Sequence, residues 1–549
     1  MTAAERDNGP GASDGTDGSD GQDGPGEGGS LLASARTVSI LTLASRLLGL
    51  LRDQAMASLL GNAWVHDALL YAWTVPNAFR RLFGEGALGS AFVPIFTRTW
   101  EHDGPGRARQ VAQQLLSAVA TFLVLLSVAL VLLVSLVPPD WVSGWSAFTE
   151  PERGALFLWL VRLLLPYLAV ICVIAQMAGV LNARGRFAVP AAAPILLNLV
   201  WIGAVALAAW MKDDQVEQVR LIAWSILGAA VLQFLWHMPA MRKVGVPFRF
   251  VRPRRSPELS ELGSVMGPML LGMGAAQINV LVDRTVAAMA LAEGGTTHLY
   301  YGMRVMQFPM GLVAVALGTA VYPALARLAA RRDSEGMTAT ASLALRTNLL
   351  IGLPAAVGLL LLAHPVVQLL FERGRFGADA TALTSEALSG YAVGIPFAGL
   401  VILLTRASYA LGDVYTPVRI GIGMAVVNAG LDLALVGPLG EYGLGLATSI
   451  TAALSSALLL YGLRRRLEVP AGALIGGWLP QAVSAAAMGL SVATLDAFLA
   501  EALEPGTTGL AIRVTAGIVL GLLVFGLFAS RLCRREWAEV SRLWTREER

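Results

Sequence analysis

Apolar stretches of about 20 residues, each long enough to cross a bilayer as a helix, recur along almost the whole chain. A chain with that pattern cannot fold as a soluble domain. Only 14% of its residues are charged and 55% are hydrophobic, whereas soluble domains carry roughly 25% charge. Barrel strands would give short alternating segments, so the spans should be helices. Fourteen are predicted, near 33–60, 68–99, 111–138, 154–181, 188–211, 219–240, 261–291, 298–329, 340–363, 383–410, 413–437, 442–467, 472–500 and 509–532.

The first thirty residues are of another kind. Seven acids against one base give them a net charge of −6, leaving +9 on the rest of a chain whose total is +3. With almost nothing apolar to bury, residues 1–30 should be a disordered tail. They contain no basic segment followed by a cleavable apolar run, so the first span should act as its own insertion signal.

Charges between the spans set the orientation. Basic clusters follow predicted helices 2, 4, 6, 8, 12 and 14, at Arg107/Arg109, Arg184/Arg186, Arg242 to Arg255, Arg327/Arg331/Arg332, Arg464 to Arg466 and Arg531/Arg534/Arg535. The intervening loops are neutral, acidic or weakly charged. Positive charge stays inside, so both termini should be cytoplasmic. A nucleic-acid patch would gather its arginines on one soluble face, and these alternate between helix ends.

The segment Ala87 to Arg98 resembles Ala316 to Arg327 at an offset of 229, with six of twelve positions identical. Near that offset Asp53 approaches Asp283. Six helices separate the copies, which implies parallel lobes. The expected fold is an all-α polytopic membrane protein of about 14 transmembrane helices. It has one lobe over 31–240, a second over 261–467, and two further helices within 472–535. That is a transporter plan, in which one lobe rocks against the other.

Charges inside the spans are the candidate functional residues, since a lone charge at mid-bilayer costs at least about 3 kcal/mol. Arg46, Arg52 and Asp53 lie in helix 1, and at about 100° per residue Arg46 and Asp53 fall about 20° apart. Asp67 opens helix 2, either as a helix cap or as an interfacial acid. Arg80, Arg81 and Glu85 follow, close enough for mutual pairing. Arg304 in helix 8 has no acid within a turn, being flanked by Met303 and Gln307, so it should snorkel, meet an anion or find a distant acid. The excess of arginine favours an anionic ligand, because guanidinium offers phosphate several donors at once. Asp283, Asn428 and Asp432 carry oxygen ligands, with Thr448 and Ser449 available from the next span. They could coordinate a small hard cation, relay a proton or simply join helices. No nucleotide loop, nucleophile–base grouping or His/Cys metal spacing is present, so the chain reads as no enzyme, without a cofactor other than a candidate sodium ion.

Ser45 to Gln54, Val75 to Phe96 and Tyr300 to Leu325 resemble the matching blocks of the MurJ/MviN family. The resemblance runs from about residue 31 to the C-terminus. It implies a lipid II flippase of the multidrug/oligosaccharidyl-lipid/polysaccharide exporter group in the bacterial cytoplasmic membrane. A flippase for another undecaprenyl-linked glycan is the nearest alternative, and a multidrug exporter a more distant one. The family's substrate-binding charges fall on Arg46, Arg52, Arg80 and Arg304. Gating or coupling falls on Asp67, with Asp53 and Glu85 beside it, and a sodium site on Asp283, Asn428, Asp432 and Thr448. Helices 13 and 14 would hold the prenyl tail. The implied partners are lipid II, membrane lipids and peptidoglycan synthases, with no nucleic acid and a monomeric working state. Many members carry acids where this chain has Met303 and Gln307, so a local salt bridge there is not expected.

Overall fold

A computed structural model describes residues 27–211, 213–504 and 506–538; the side chains of some helical residues, Glu85 among them, fall outside that set. Regular structure among the described residues is helical, apart from one isolated β-bridge, Arg373 to Phe376. The acidic tail lies outside the described residues, except that Glu27–Ser30 opens the first helix.

The first half contains α1 (Glu27–Leu60), α2 (Trp64–Phe79), a π-helical segment (Arg80–Ala87), α3 (Leu88–His102) and α4 (Gly104–Ser135). After the short α5 (Pro139–Val142) come α6 (Pro151–Leu164), α7 (Tyr167–Ala183), α8 (Ala188–Met211) and α9 (Gln215–Lys243). Residues 244–256 then run without helix to α10 (Pro257–Ala290). The second half continues with α11 (Gly295–Ala330), α12 (Ser334–Leu361), α13 (Ala363–Phe371), α14 (Ala378–Ala392), α15 (Ile395–Ala410) and α16 (Tyr415–Leu467). Last are α17 (Ala471–Ile475), α18 (Trp478–Ala502) and α19 (Thr507–Leu532).

Local chemistry explains the boundaries. Asp214, Ser256 and Asp333 cap the starts of α9, α10 and α12 with side-chain oxygens on backbone N–H groups. Pro166 separates α6 from α7, since proline offers no N–H to continue the ladder. Gly440, at φ 55°, breaks α16 between the spans predicted at 413–437 and 442–467. Four helices predicted as continuous are divided: 68–99 by the π-helical segment, 154–181 at Pro166, 383–410 between α14 and α15, and 472–500 at Gly476 and Gly477, which separate α17 from α18.

Eight helical stretches among the described residues are long and apolar enough to cross a membrane, or nine if α14 and α15, bent by 43°, count as one. The chain is an all-α, multi-spanning membrane fold. Its helices bury aromatic clusters in the first half, around Trp73, Phe157, Tyr167 and Trp201, and leucine-rich ones in the second, around Leu345, Leu404 and Leu459. Leu125, Leu132, Leu490 and Leu522 stay exposed. In lipid such packing works by close fit more than by exclusion of water.

Candidate functional site

Helices α1 and α11 run antiparallel, and the predicted charges meet along their seam. Arg304 Nε donates to Asp53 Oδ2 at 2.8 Å. Arg52 donates to Asp53 Oδ1 through Nε at 3.1 Å and Nη2 at 2.7 Å. Its Nη1 reaches Asn198 Oδ1 at 3.2 Å, its Nη2 the Tyr300 hydroxyl at 3.4 Å, and its guanidinium lies 4.6 Å from the Trp201 ring centre. One carboxylate thus holds two guanidinia. Arg304 finds the distant acid that the sequence left open, and that acid comes from helix 1.

Further along the seam the Arg46 guanidinium lies against Gly311, where an added Cβ would be 3.8 Å from Nη2. Arg406 of α15 packs on Gly318, where a Cβ would fall 3.0 Å from Cζ. Positions 304, 311 and 318 are seven apart, so they share one face of α11 at intervals of about 10 Å. Guanidinia therefore mark that face at three successive levels. Arg80 opens the π-helical segment, and its Nε donates to Asn77 Oδ1 at 3.0 Å. The Glu85 side chain lies outside the described residues.

The end of the bundle where α1 gives way to α2 is shut between the two halves. Asp67 is fully buried and caps no turn of its own helix. Its carboxylate instead accepts from Gly294 N at 2.8 Å and from Thr297 N and Oγ1, each at 2.7 Å, at the start of α11. Ala147 N donates to Ala288 O at 2.9 Å, and Arg375 N to Ser58 O at 2.9 Å. Tyr71 Oη meets Thr285 Oγ1 at 2.5 Å. The close approach of the Arg375 loop requires glycine. Gly61 has φ +62° and a Cβ there would lie 2.5 Å from the Arg375 carbonyl oxygen, while Gly374, at φ +58°, abuts Ser58.

The oxygen-rich residues of the second half also converge. Asn428 Nδ2 donates to Asp283 Oδ1 at 2.8 Å and to Asp432 Oδ2 at 2.9 Å, and all three side chains are buried. Asn428 Oδ1 and Asp432 Oδ1 are enclosed without a hydrogen-bond partner. That donor set suits a hard cation, which would take up the unpartnered oxygens. The Thr448 hydroxyl turns to the Leu444 carbonyl at 3.3 Å. Ser449 is not available to the cluster, because its hydroxyl donates to the Gly390 and Tyr391 carbonyls. No group of three or more His, Cys, Asp or Glu among the described residues could hold a metal.

Asn198, Tyr300, Trp201 and Arg406 were missed from sequence. Two carried a signal: Asn198 is a lone amide in an apolar helix, and Arg406 a lone arginine in another.

The family model described as "Lipid II flippase MurJ" matches residues 56–514. The chain belongs to the MurJ family. It is 34% identical over 433 residues to the probable lipid II flippase MurJ of Rhizobium meliloti, covering 79% of this chain and 80% of that one. To the lipid II flippase MurJ of Burkholderia cenocepacia it is 32% identical over 444 residues, covering 80% and 84%. Among solved structures, a MurJ in an inward closed conformation matches at TM-score 0.74 and 25% identity, covering 90% of this chain and 98% of that one. An inward-facing multidrug-resistance transporter of the MOP superfamily shares the fold at TM-score 0.65, with 18% identity and coverage of 78% and 98%. MurJ-family proteins are transporters, not enzymes, and this one is a multi-pass protein of the inner membrane.

Proposed function

We propose that the protein is a lipid II flippase, moving the undecaprenyl-pyrophosphate-linked precursor from the inner to the outer leaflet by alternating access. The observation that carries this is the α1–α11 seam, where Arg52 and Arg304 share the single carboxylate of Asp53 and Arg46 adds a third guanidinium at Gly311. Excess positive charge on a cavity wall suits a pyrophosphate. The same charge disfavours a cationic drug as cargo.

Fourteen spans arranged as two parallel six-helix lobes plus α18 and α19 fit the helix order, with both termini cytoplasmic. The shut end is then the extracytoplasmic gate, and Asp67 holds it by capping a helix of the opposite lobe. Arg80 adds to the substrate wall. Sodium at Asp283, Asn428 and Asp432, with Thr448 nearby on the following span, would couple transport to an ion gradient. The exposed apolar residues of α18 and α19 suit a prenyl tail. Peptidoglycan synthases are candidate partners, and the working unit is a monomer.

Labelled lipid II in proteoliposomes tests the reading, with Arg52→Ala and Arg304→Ala at matched folded protein and a second undecaprenyl-linked glycan as competitor. Arginine-dependent lipid II movement supports it. Movement of the competitor alone selects the alternative substrate.

A further inference from the structure

His298 and Glu441 form a buried pair in which neither residue touches the arginine seam or the oxygen cluster. His298 Nδ1 lies 3.1 Å from Glu441 Oε1, the imidazole has no exposed surface, and its Nε2 is enclosed without a partner. The pair joins the first turn of α11 to the second part of α16, beyond the break at Gly440.

Its position relative to the gate is what gives it a role. Gly294, whose N–H is held by Asp67, has φ +96°. A Cβ built there would lie 2.9 Å from His298 Cε1 and 2.8 Å from Asn62 Cβ of the opposite lobe. The edge of the imidazole is therefore one glycine away from the surface along which the lobes part. With the gate shut, that glycine and Asn62 seal the ring from outside; parting the lobes removes Asn62 and opens the edge to water.

The surroundings are rich in negative charge. From α2 the ring is faced by the Asp67 carboxylate and by His66, which is fixed by Gly61 O at Nδ1 and Tyr301 Oη at Nε2. From α16 it is faced by Glu441. Arg284 of α10 is the nearby cation, and its Nη1 is turned to the Thr296 carbonyl at 2.8 Å. From α1, Asp53 is shielded by Arg52 and Arg304. Closing the gate thus encloses two carboxylates, Asp67 and Glu441, around one imidazole. A proton on that imidazole offsets part of the charge, with Nδ1–H donating to Glu441.

We propose that the His298–Glu441 pair is a proton-binding site of the extracytoplasmic gate, reached from outside when the gate parts, whose protonated form favours the shut gate. The proposal rests on the alternating-access reading but not on the identity of the cargo. Acid outside the cell then favours return to the inward-facing state.

The test is made on the full chain in lipid nanodiscs without lipid II, so its outcome is independent of the flippase assay. Spin labels on Trp141→Cys and Asp379→Cys, on opposite lobes, report the gate distance at about pH 7.5 and about pH 5.5. One linked proton changes the shut-to-open ratio by at most about tenfold per pH unit, and the ratio should rise on acidification. In His298→Gln and in Glu441→Gln the rise should vanish. Gly374→Ala, which loosens a different contact, provides a second background in which the open state is populated. An unchanged ratio in both backgrounds overturns the proposal, as does a full acid response retained in His298→Gln.

Discussion

Asp53 and Arg304 pair at 2.8 Å across α1 and α11, and the contact is in register along both helices. Seven residues back along α1 and seven forward along α11, Arg46 lies against Gly311. Side chains from one helix or the other make these contacts, including Tyr301 Oη to the Asp53 carbonyl, so the seam can part without unfolding either helix.

Removing the shared acid should cost more than removing either base. Asp53→Asn leaves Arg52 and Arg304 without their counter-charge, and breaking a buried ion pair costs about 3–5 kcal/mol. A fall in the thermal midpoint of the purified protein, larger than for Arg304→Ala, is the expected result.

Gly49→Ala separates cavity geometry from stability. The new Cβ would sit 3.1 Å from Arg304 Nη2, so the guanidinium must yield by a few tenths of an ångström. Alanine favours a helix over glycine by about 1 kcal/mol. Flipping should fall several-fold while the thermal midpoint holds or rises.

Asp67→Ala removes the acceptor for three hydrogen bonds at the start of α11. Buried donors left unpaired cost about 1–3 kcal/mol each. A cysteine placed at Thr285 should then react faster with a membrane-impermeant reagent from outside.

Sodium should stabilise the wild-type protein. A ligand bound by the folded state adds about 1.4 kcal/mol for each tenfold rise above its dissociation constant. Raising sodium at constant ionic strength should lift the thermal midpoint, and Asp432→Ala should abolish the rise. Equal midpoints in sodium and in choline would remove the ion from this cluster.

The membrane class and most helix positions were legible because a bilayer leaves few solutions to the backbone hydrogen-bonding problem. Helical periodicity placed Arg46 and Asp53 on one face, and both do face α11. Which acid Arg304 would find was not legible, since Asp53 is 251 residues away and periodicity says nothing about which helices adjoin. Asp67 could be read as a cap, but its helix could not, because capping another element depends on how the halves meet. The internal repeat hid a difference as well. Arg80, at the start of the π-helical segment, corresponds at the same offset to Pro309 inside the unbroken α11.

Two of the contacts that shut the gate, Ala147 to Ala288 and Arg375 to Ser58, join main chain to main chain. Their strength does not depend on which side chains occupy those positions. Mutational drift can therefore reshape the cargo wall without erasing the closure, and heritable change in the closure falls mainly on the glycines that let two backbones touch.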